Sequence, residues 1–84
     1  MIVKIVQGDY YSSYACNGFH VAPMAGNPDE VCVSLVSTTE GFNREMVLDK
    51  RRSYMFVMND NGKTIDSFMW AASYVIQPAP SPNP

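Results

Sequence analysis

Apolar and polar residues alternate with a period of two along much of the chain, a pattern typical of β-strands with one buried face. The segment VCVSLV at residues 31–36 shows it best, because its odd-numbered residues form a wholly apolar row. The segment MIVKIVQ at residues 1–7 alternates in the same way. In the segment FHVA, the alternation turns Phe19 and Val21 toward the core and His20 toward solvent. We predict a strand at each of these places.

The pair Asn61 and Gly62 separates two further apolar segments, SYMFVM and TIDSFM. Asn-Gly accepts positive φ at both central positions of a type I′ turn, so we predict a hairpin over residues 53–70 with a two-residue loop. This register sets Phe56 opposite Ser67. It also gathers one mostly apolar face, formed by Tyr54, Phe56, Met58, Ile65 and Met69. A type I turn with a bulge at Gly62 is the alternative, and it would shift the register by one residue.

Turn-forming residues interrupt the remaining segments. GDYYSSYACNG is interpreted as a loop, and APMAGNPDE, with its prolines and glycine, as an irregular connection. REMVLD is a further short element, for which a helical turn is the alternative, and AASYVIQ is either a short helix or a last strand. The proline-rich residues 78–84 are predicted to be a disordered, polyproline-II-like tail.

These elements predict one compact domain over residues 1–77, mainly β, or α+β with one short helix. The expected architecture is a small antiparallel sheet or partly open barrel of about five to six strands that ends in the hairpin of residues 53–70. A chain of 84 residues is long enough to fold alone with little stability to spare.

Charge and hydropathy narrow the function. The net charge of −2 argues against a dedicated nucleic-acid binder, which usually carries a basic face. No apolar run is long enough to span a membrane, and the first residues lack the cleavage site of a signal peptide. We therefore expect a cytoplasmic protein, in the host cytoplasm if it is phage-encoded. In a reducing compartment, Cys16 and Cys32 are expected to be free thiols.

Two familiar motifs overlap in the segment VMNDNGKTI. Gly-Lys-Thr ends phosphate-binding loops, and Asn-Asp-Asn-Gly resembles the middle of a calcium loop. Both motifs require a critical residue at the position that Val57 occupies, a glycine in the first and an oxygen ligand in the second. We therefore interpret the segment as a turn and expect no phosphate or calcium site.

Catalytic and metal chemistry have little support. His20 is the only histidine, no Gly-x-Ser-x-Gly motif is present, and no two carboxylates are placed as an acid/base pair. A catalytic Cys-His dyad, formed by His20 with Cys16 or Cys32, is not excluded by the sequence. Those three residues are one ligand short of a structural zinc site and lack its close ligand spacing. We predict a protein that is not an enzyme and has no cofactor or metal.

The segment DYYSSYACNGF carries the binding signal. Its tyrosines, together with serine, asparagine and glycine, have the composition of antibody-like paratopes. We predict that Tyr10, Tyr11, Tyr14 and Phe19 bind a partner; the alternative is that two of the tyrosines cover the open end of the sheet. The basic residues 50–52 are interpreted as a solvated loop rather than a site that binds a phosphate backbone.

The order of elements over residues 31–69 resembles the second half of the phage uracil-DNA glycosylase inhibitors. The resemblance rests on the segments VCVSLV, EMVL and FVMNDNG. Those inhibitors imitate DNA and insert a glutamate-bearing segment from their first half into the enzyme. Residues 1–29 of this chain contain no glutamate, so the resemblance assigns no site residue here.

We expect a small binding protein that covers a surface on a partner protein, such as a phage inhibitor of a host protein. An assembly module of a larger complex or virion, whose exposed strand adds to a neighbour, is the second hypothesis. The third is a single-stranded nucleic-acid binder that uses Tyr54, Phe56 and residues 51–52, or a DNA-mimic inhibitor. Homo-oligomerisation is left open.

Overall fold

A computed structural model describes residues 1–37 and 41–76, which form two antiparallel sheets and one short helix. The elements in chain order are β1 (Ile2–Gln7), β2 (Tyr10–Ala15), β3 (Gly18–Met24), β4 (Asn27–Ser37), β5 (Phe42–Asp49), β6 (Ser53–Met58), β7 (Thr64–Phe68) and α1 (Trp70–Ile76). One sheet has the order β2-β1-β6-β7 and the other β3-β4-β5. The prediction of a small, mainly β, antiparallel domain is confirmed, but the described residues form seven strands in two sheets rather than about five to six strands in one sheet or a partly open barrel.

The inner faces of the two sheets share a single apolar cluster. Alternate residues of each strand enter it, as the period-two pattern predicts. The four-stranded sheet contributes Val3, Ile5, Met55 and Val57, and the three-stranded sheet Val31, Val33, Leu35 and Leu48. Burying each such side chain stabilises the fold by about 1.5–3 kcal/mol. The predicted inward row of residues 31–36 is confirmed, and so is the outward His20.

Aromatic contacts join the sheets along both open sides of the sandwich. On one side, the Arg44 guanidinium of β5 lies 5.3 Å from the ring centroid of Tyr14 on β2. On the other, Phe19 of β3 meets Phe68 of β7 edge to face, with ring centroids 6.0 Å apart. Trp70 opens α1 and packs 5.4 Å from Phe68. These pairs position β2 beside β5 and β7 beside β3.

The turn before β7 differs from the predicted type I′ turn. The Gly62 amide donates to the Asn59 carbonyl at 3.0 Å. Gly62 has φ of 80°, and no non-glycine residue among those described has positive φ, so Asn61 cannot occupy the position that type I′ requires. The Asn59 side chain accepts from the amides of Asn61 and Lys63, at 2.9 and 3.0 Å. The alternative, a type I turn with a glycine bulge, is therefore the one observed.

The register between the hairpin strands survives this change, and the mostly apolar face is the outer one. Phe56 still lies opposite Ser67, because a second irregularity between Val57 and Met58 compensates for the extra turn residue. The buried face carries Met55 and Val57, whereas the apolar face gathered from the sequence lies on the outside. The physical reason is β1, which pairs with β6 and directs its own buried residues toward the same side as Val57.

Three other segments were predicted wrongly or incompletely. The tyrosine segment interpreted as a loop is β2, which pairs with β1 over its whole length. The segment REMVLD belongs to β5 rather than to a helical turn, because it pairs with the long β4. The irregular connection is mostly strand, with a tight turn at Gly26, whose φ is 81°. AASYVIQ falls largely in α1, so its helical alternative is confirmed.

Residues 78–84, predicted to be a disordered tail, lie outside the described residues. Within residues 1–37 and 41–76, no helix is long and apolar enough to cross a membrane.

Strand β7 is one of the two edge strands of its sheet and is exposed along nearly its whole length. Asp66 lies opposite the buried Val57, so its carboxylate is on the inner side of the sheet while remaining exposed. An inward-pointing charge of this kind on an edge strand disfavours pairing with another strand.

Candidate binding face

The outer side of the four-stranded sheet carries a cluster of apolar and aromatic residues. On each strand they alternate with the core residues, so they point away from the other sheet. We call this side the aromatic face, and define it by Ile2, Lys4, Val6, Tyr11, Ser13, Ala15, Tyr54, Phe56 and Met58. No strand in the described part of the chain lies over it.

Three large rings dominate the aromatic face. Tyr54 and Phe56 are next-but-one neighbours on β6, and their rings are nearly parallel, with centroids 6.5 Å apart. Tyr11, on β2, is 61% exposed, and Ile2 on β1 is 42% exposed. Large aromatic side chains that remain accessible are the residue type that anchors protein interfaces.

Lys4 lies at the centre of this face and has no acidic neighbour among the residues that define it. It pairs with Ser13 on one side and Phe56 on the other, and the remaining positions around it are apolar or tyrosine. Its ammonium lies 5.7 Å from the ring centroid of Tyr11. Among the described residues, no carboxylate forms an ion pair with Lys4. The centre of the face therefore offers a positive charge that is compensated only by a tyrosine ring.

The Tyr11 phenol is tied to two neighbours on the same face. The Ser13 hydroxyl donates to the Tyr11 oxygen at 3.3 Å. This hydrogen bond and, second, the interaction with Lys4 favour the phenolate and lower the pKa of Tyr11 below its ordinary value. The ring is thus oriented by its neighbours although it is exposed.

The four residues predicted to bind a partner do not share one surface. Tyr11 lies on the aromatic face, whereas Tyr10, 76% exposed, points to the other side of β2 at its end. Tyr14 and Phe19 are half-buried and pack against the core. Sequence reasoning missed that Tyr54 and Phe56 accompany Tyr11. The register of β6 against β1 would have shown it, because that register decides which side of β6 is outside.

Each of the basic residues before β6 contacts another part of the protein. The Arg51 guanidinium contacts both carboxylate oxygens of Asp49, each at 3.1 Å, and holds the pKa of Asp49 below its ordinary value. The Lys50 ammonium donates to the Pro28 carbonyl at 3.2 Å. A side chain at Gly8 would collide with the Arg52 guanidinium, so that group lies against the β1–β2 turn. The loop interpretation agrees with these contacts.

Of the three candidate residues, Cys16 lies in the core, whereas His20 and Cys32 are diagonal neighbours on β3 and β4. Cys16 is a free thiol in the core, where burial raises its pKa, while the free Cys32 is half-buried. Cys32 and His20 both lie on the outer side of the three-stranded sheet, across β4 from the core. Among the described residues, no group of three His, Cys, Asp or Glu side chains is placed to hold a metal.

That outer side of the three-stranded sheet is the counterpart of the aromatic face. We call it the acidic face; its residues are His20, Ala22, Glu30, Cys32, Ser34, Val36, Asn43, Glu45, Val47 and Asp49. The residues that define it include three carboxylates and no lysine or arginine, because Arg44 of β5 pairs with the buried Leu35 and lies on the inner side. The Ser34 hydroxyl donates to Glu45 at 3.5 Å. Val36 and Val47 are 40% and 48% exposed.

An open cleft of about 270 Å³ lies where β1, β2 and the hairpin turn meet, lined in part by Cys16, Ser37 and Asp60. The amine of Met1 enters it and donates to the Cys16 carbonyl at 3.1 Å and to Asp60 at 3.2 Å. The charged groups of the cleft therefore satisfy each other.

Comparisons with models of known protein families, with curated proteins and with solved structures found no match. The resemblance to the glycosylase inhibitors stays a prediction.

Proposed function

We propose that the protein is a small, non-enzymatic binding protein that covers a surface on a partner protein with its aromatic face. The observation that carries this proposal is the grouping of Tyr11, Tyr54 and Phe56 around Lys4 on a side that no described strand covers. Apolar clusters that remain on the outside of a folded domain usually mark an interaction site.

The dimensions of the face suit a few strong anchors rather than a broad interface. Strands lie about 4.8 Å apart and rise about 3.3 Å per residue, so the outer side of β1, β2 and β6 spans roughly 15 by 20 Å. That is below the ~800 Å² that each partner contributes to a standard interface. Binding would therefore depend on the aromatic rings, as hot-spot residues do in larger interfaces. Inhibition of the partner would be steric, by covering its surface.

The test is affinity capture from a lysate of the source cells with quantitative mass spectrometry. The variant Tyr11→Ser with Tyr54→Ser should lose the captured partner, because two of the three rings are removed. The matched control, Val36→Ser with Val47→Ser, makes two exposed apolar-to-serine changes on the acidic face and should retain it. Thermal melting of both variants checks that they fold. An unchanged set of captured proteins for the tyrosine variant would overturn the proposal.

Single-stranded nucleic acid is the second candidate partner, favoured by the adjacent rings of Tyr54 and Phe56 beside Lys4. Such rings can stack on bases while a cation meets the phosphates. The net charge of −2 and the engagement of Arg51 with Asp49 weigh against it. Fluorescence anisotropy with a labelled oligothymidine decides: binding at low salt that weakens as salt rises supports this candidate. No binding at low salt removes it.

A further inference from the structure

We propose that copies of this chain associate in a head-to-tail stack, with the aromatic face of one copy against the acidic face of the next. This goes beyond the proposed function in two ways. It assigns a role to the acidic face, and it names another copy of the chain as the molecule that binds the aromatic face.

Charge complementarity between the two faces is the first argument. The aromatic face has Lys4 at its centre and no carboxylate. The residues that define the acidic face include Glu30, Glu45 and Asp49 and no lysine or arginine. Asp49 is already paired with Arg51, so Glu30 and Glu45 are the carboxylates available to meet a lysine. Opposite charges on two faces of one molecule favour contact between unlike faces.

The side chains also differ in size in a complementary way. The aromatic face carries three rings, of which Tyr11 is exposed and Tyr54 and Phe56 are half-buried, whereas β3 and β4 contribute the small residues Ala22, Cys32 and Ser34 to the acidic face. Large side chains of one surface can lie over small side chains of another without leaving voids. Both faces contribute exposed apolar area, including Val36 and Val47 on the acidic side.

Symmetry selects the head-to-tail arrangement. A two-fold dimer through the aromatic faces would bring the Lys4 ammonium of one copy near that of the other, and one through the acidic faces would oppose carboxylates. A heterologous contact avoids both, and it leaves one free face of each kind at the ends of the stack, so growth stays open. Because each contact is smaller than a standard interface, the association should be weak and dependent on concentration.

Stacking and partner binding would compete for the aromatic face, but only stacking uses the acidic face. A substitution on the acidic face therefore separates the two. In the capture experiment, Glu45→Lys should retain the partner while it abolishes stacking. Failure of stacking leaves the proposed function intact, and failure of partner capture leaves stacking intact.

The first measurement is sedimentation velocity of the full chain from about ten micromolar to about one millimolar, at low salt. We expect the weight-average mass to rise with concentration and the rise to diminish when salt is added, because exposed charges are screened. A monomer mass over the whole range would overturn the proposal.

The decisive measurement is a charge swap. Lys4→Glu and Glu45→Lys should each abolish the mass increase, and an equimolar mixture of the two variants should restore it, because each aromatic face then meets an acidic face of opposite charge.

Lys63→Glu and Asp9→Lys make the same charge changes in exposed turns and should leave association unchanged. Association that survives both face substitutions, or a mixture that stays monomeric, contradicts the proposed contact. If Lys4→Glu impairs folding, Glu45→Lys, at an exposed position, still tests it.

Discussion

Gly62 is the residue whose backbone the hairpin turn depends on most. Its φ of 80° lies in the left-handed region, where a Cβ atom is unfavourable by roughly 1–2 kcal/mol. We expect Gly62→Ala to lower the free energy of unfolding by about that amount and the melting temperature by about 4–8 °C per kcal/mol.

Gly18→Ala is the matched control for this prediction, measured by the same thermal denaturation. Gly18 has no positive φ, and nothing lies within 4 Å of the position of an added Cβ. Its substitution should therefore be neutral or slightly stabilising. Equal losses in the two variants would contradict the turn described for Gly62.

The two cysteines should react at different rates in the native protein. Cys16 is 5% exposed and its pKa is raised by burial, whereas Cys32 is half-buried on the outside of its sheet. Thiolates react and buried thiols do not. We expect a thiol reagent to label Cys32 first and Cys16 only on unfolding, as followed by mass spectrometry. Cys32→Ser should remove the early label; an early label that persists in this variant would contradict the burial of Cys16.

The Tyr11 phenol provides a pH-dependent signal on the aromatic face. Its pKa is lowered mainly by the hydrogen bond from Ser13. In Ser13→Ala, the phenolate loses that donor, so the pKa of Tyr11 should rise and its ionisation should begin at higher pH. An NMR titration of the tyrosine ring carbons measures this shift. Ser67→Ala, farther across the same side of the sheet, is the control and should leave the Tyr11 titration unchanged.

At the scale of the strand, two adjacent residues of β6 test which side is buried. Met55 is fully buried, while its neighbour Phe56 is half-buried on the aromatic face. Met55→Ala should cost about 2–5 kcal/mol of unfolding free energy, through lost burial and the cavity left behind. Phe56→Ala should cost clearly less although it removes a larger side chain. Urea denaturation measures both, and the reverse order would contradict the observed face.

The sequence predicts best those strands in which apolar and polar residues alternate most clearly. In β4 only one face is wholly apolar, so the inward row that includes Val33 and Leu35 follows from the pattern. In the final hairpin both faces carry large apolar residues, and local pattern cannot choose between them. The register against β1, which is distant in sequence, decides that Met55 is inside.

Strand β2 was missed for a related reason. Its tyrosines and serines are equally at home in a loop, and its strand conformation comes from pairing with β1. Tyr11 was predicted to bind a partner, but its association with Tyr54 and Phe56 depends on the sheet order β2-β1-β6, which the sequence does not reveal. The acidic face was missed because its residues come from three strands, and none of the three segments has a motif or charge cluster by itself that indicates a binding surface.

At the scale of the whole molecule, the two sheets should unfold together. Their buried residues form one cluster, and neither sheet has a second core of its own among the described residues. Small domains of this kind usually unfold in one cooperative step. We expect the urea transitions followed by Trp70 fluorescence and by far-ultraviolet circular dichroism to coincide. Transitions with separate midpoints would show that the sheets are independent units.

The exposed carboxylate of Asp66 has a consequence for how the protein behaves when it is abundant. Strand β7 carries only a short polar edge, and this one charge on its inner side opposes the approach of a further strand. An apolar residue at this position would leave a flat edge next to Ile65, which is 56% exposed. A redesign of the hairpin for stability should therefore keep Asp66. Replacing it with an apolar residue would make the protein prone to irreversible precipitation during expression.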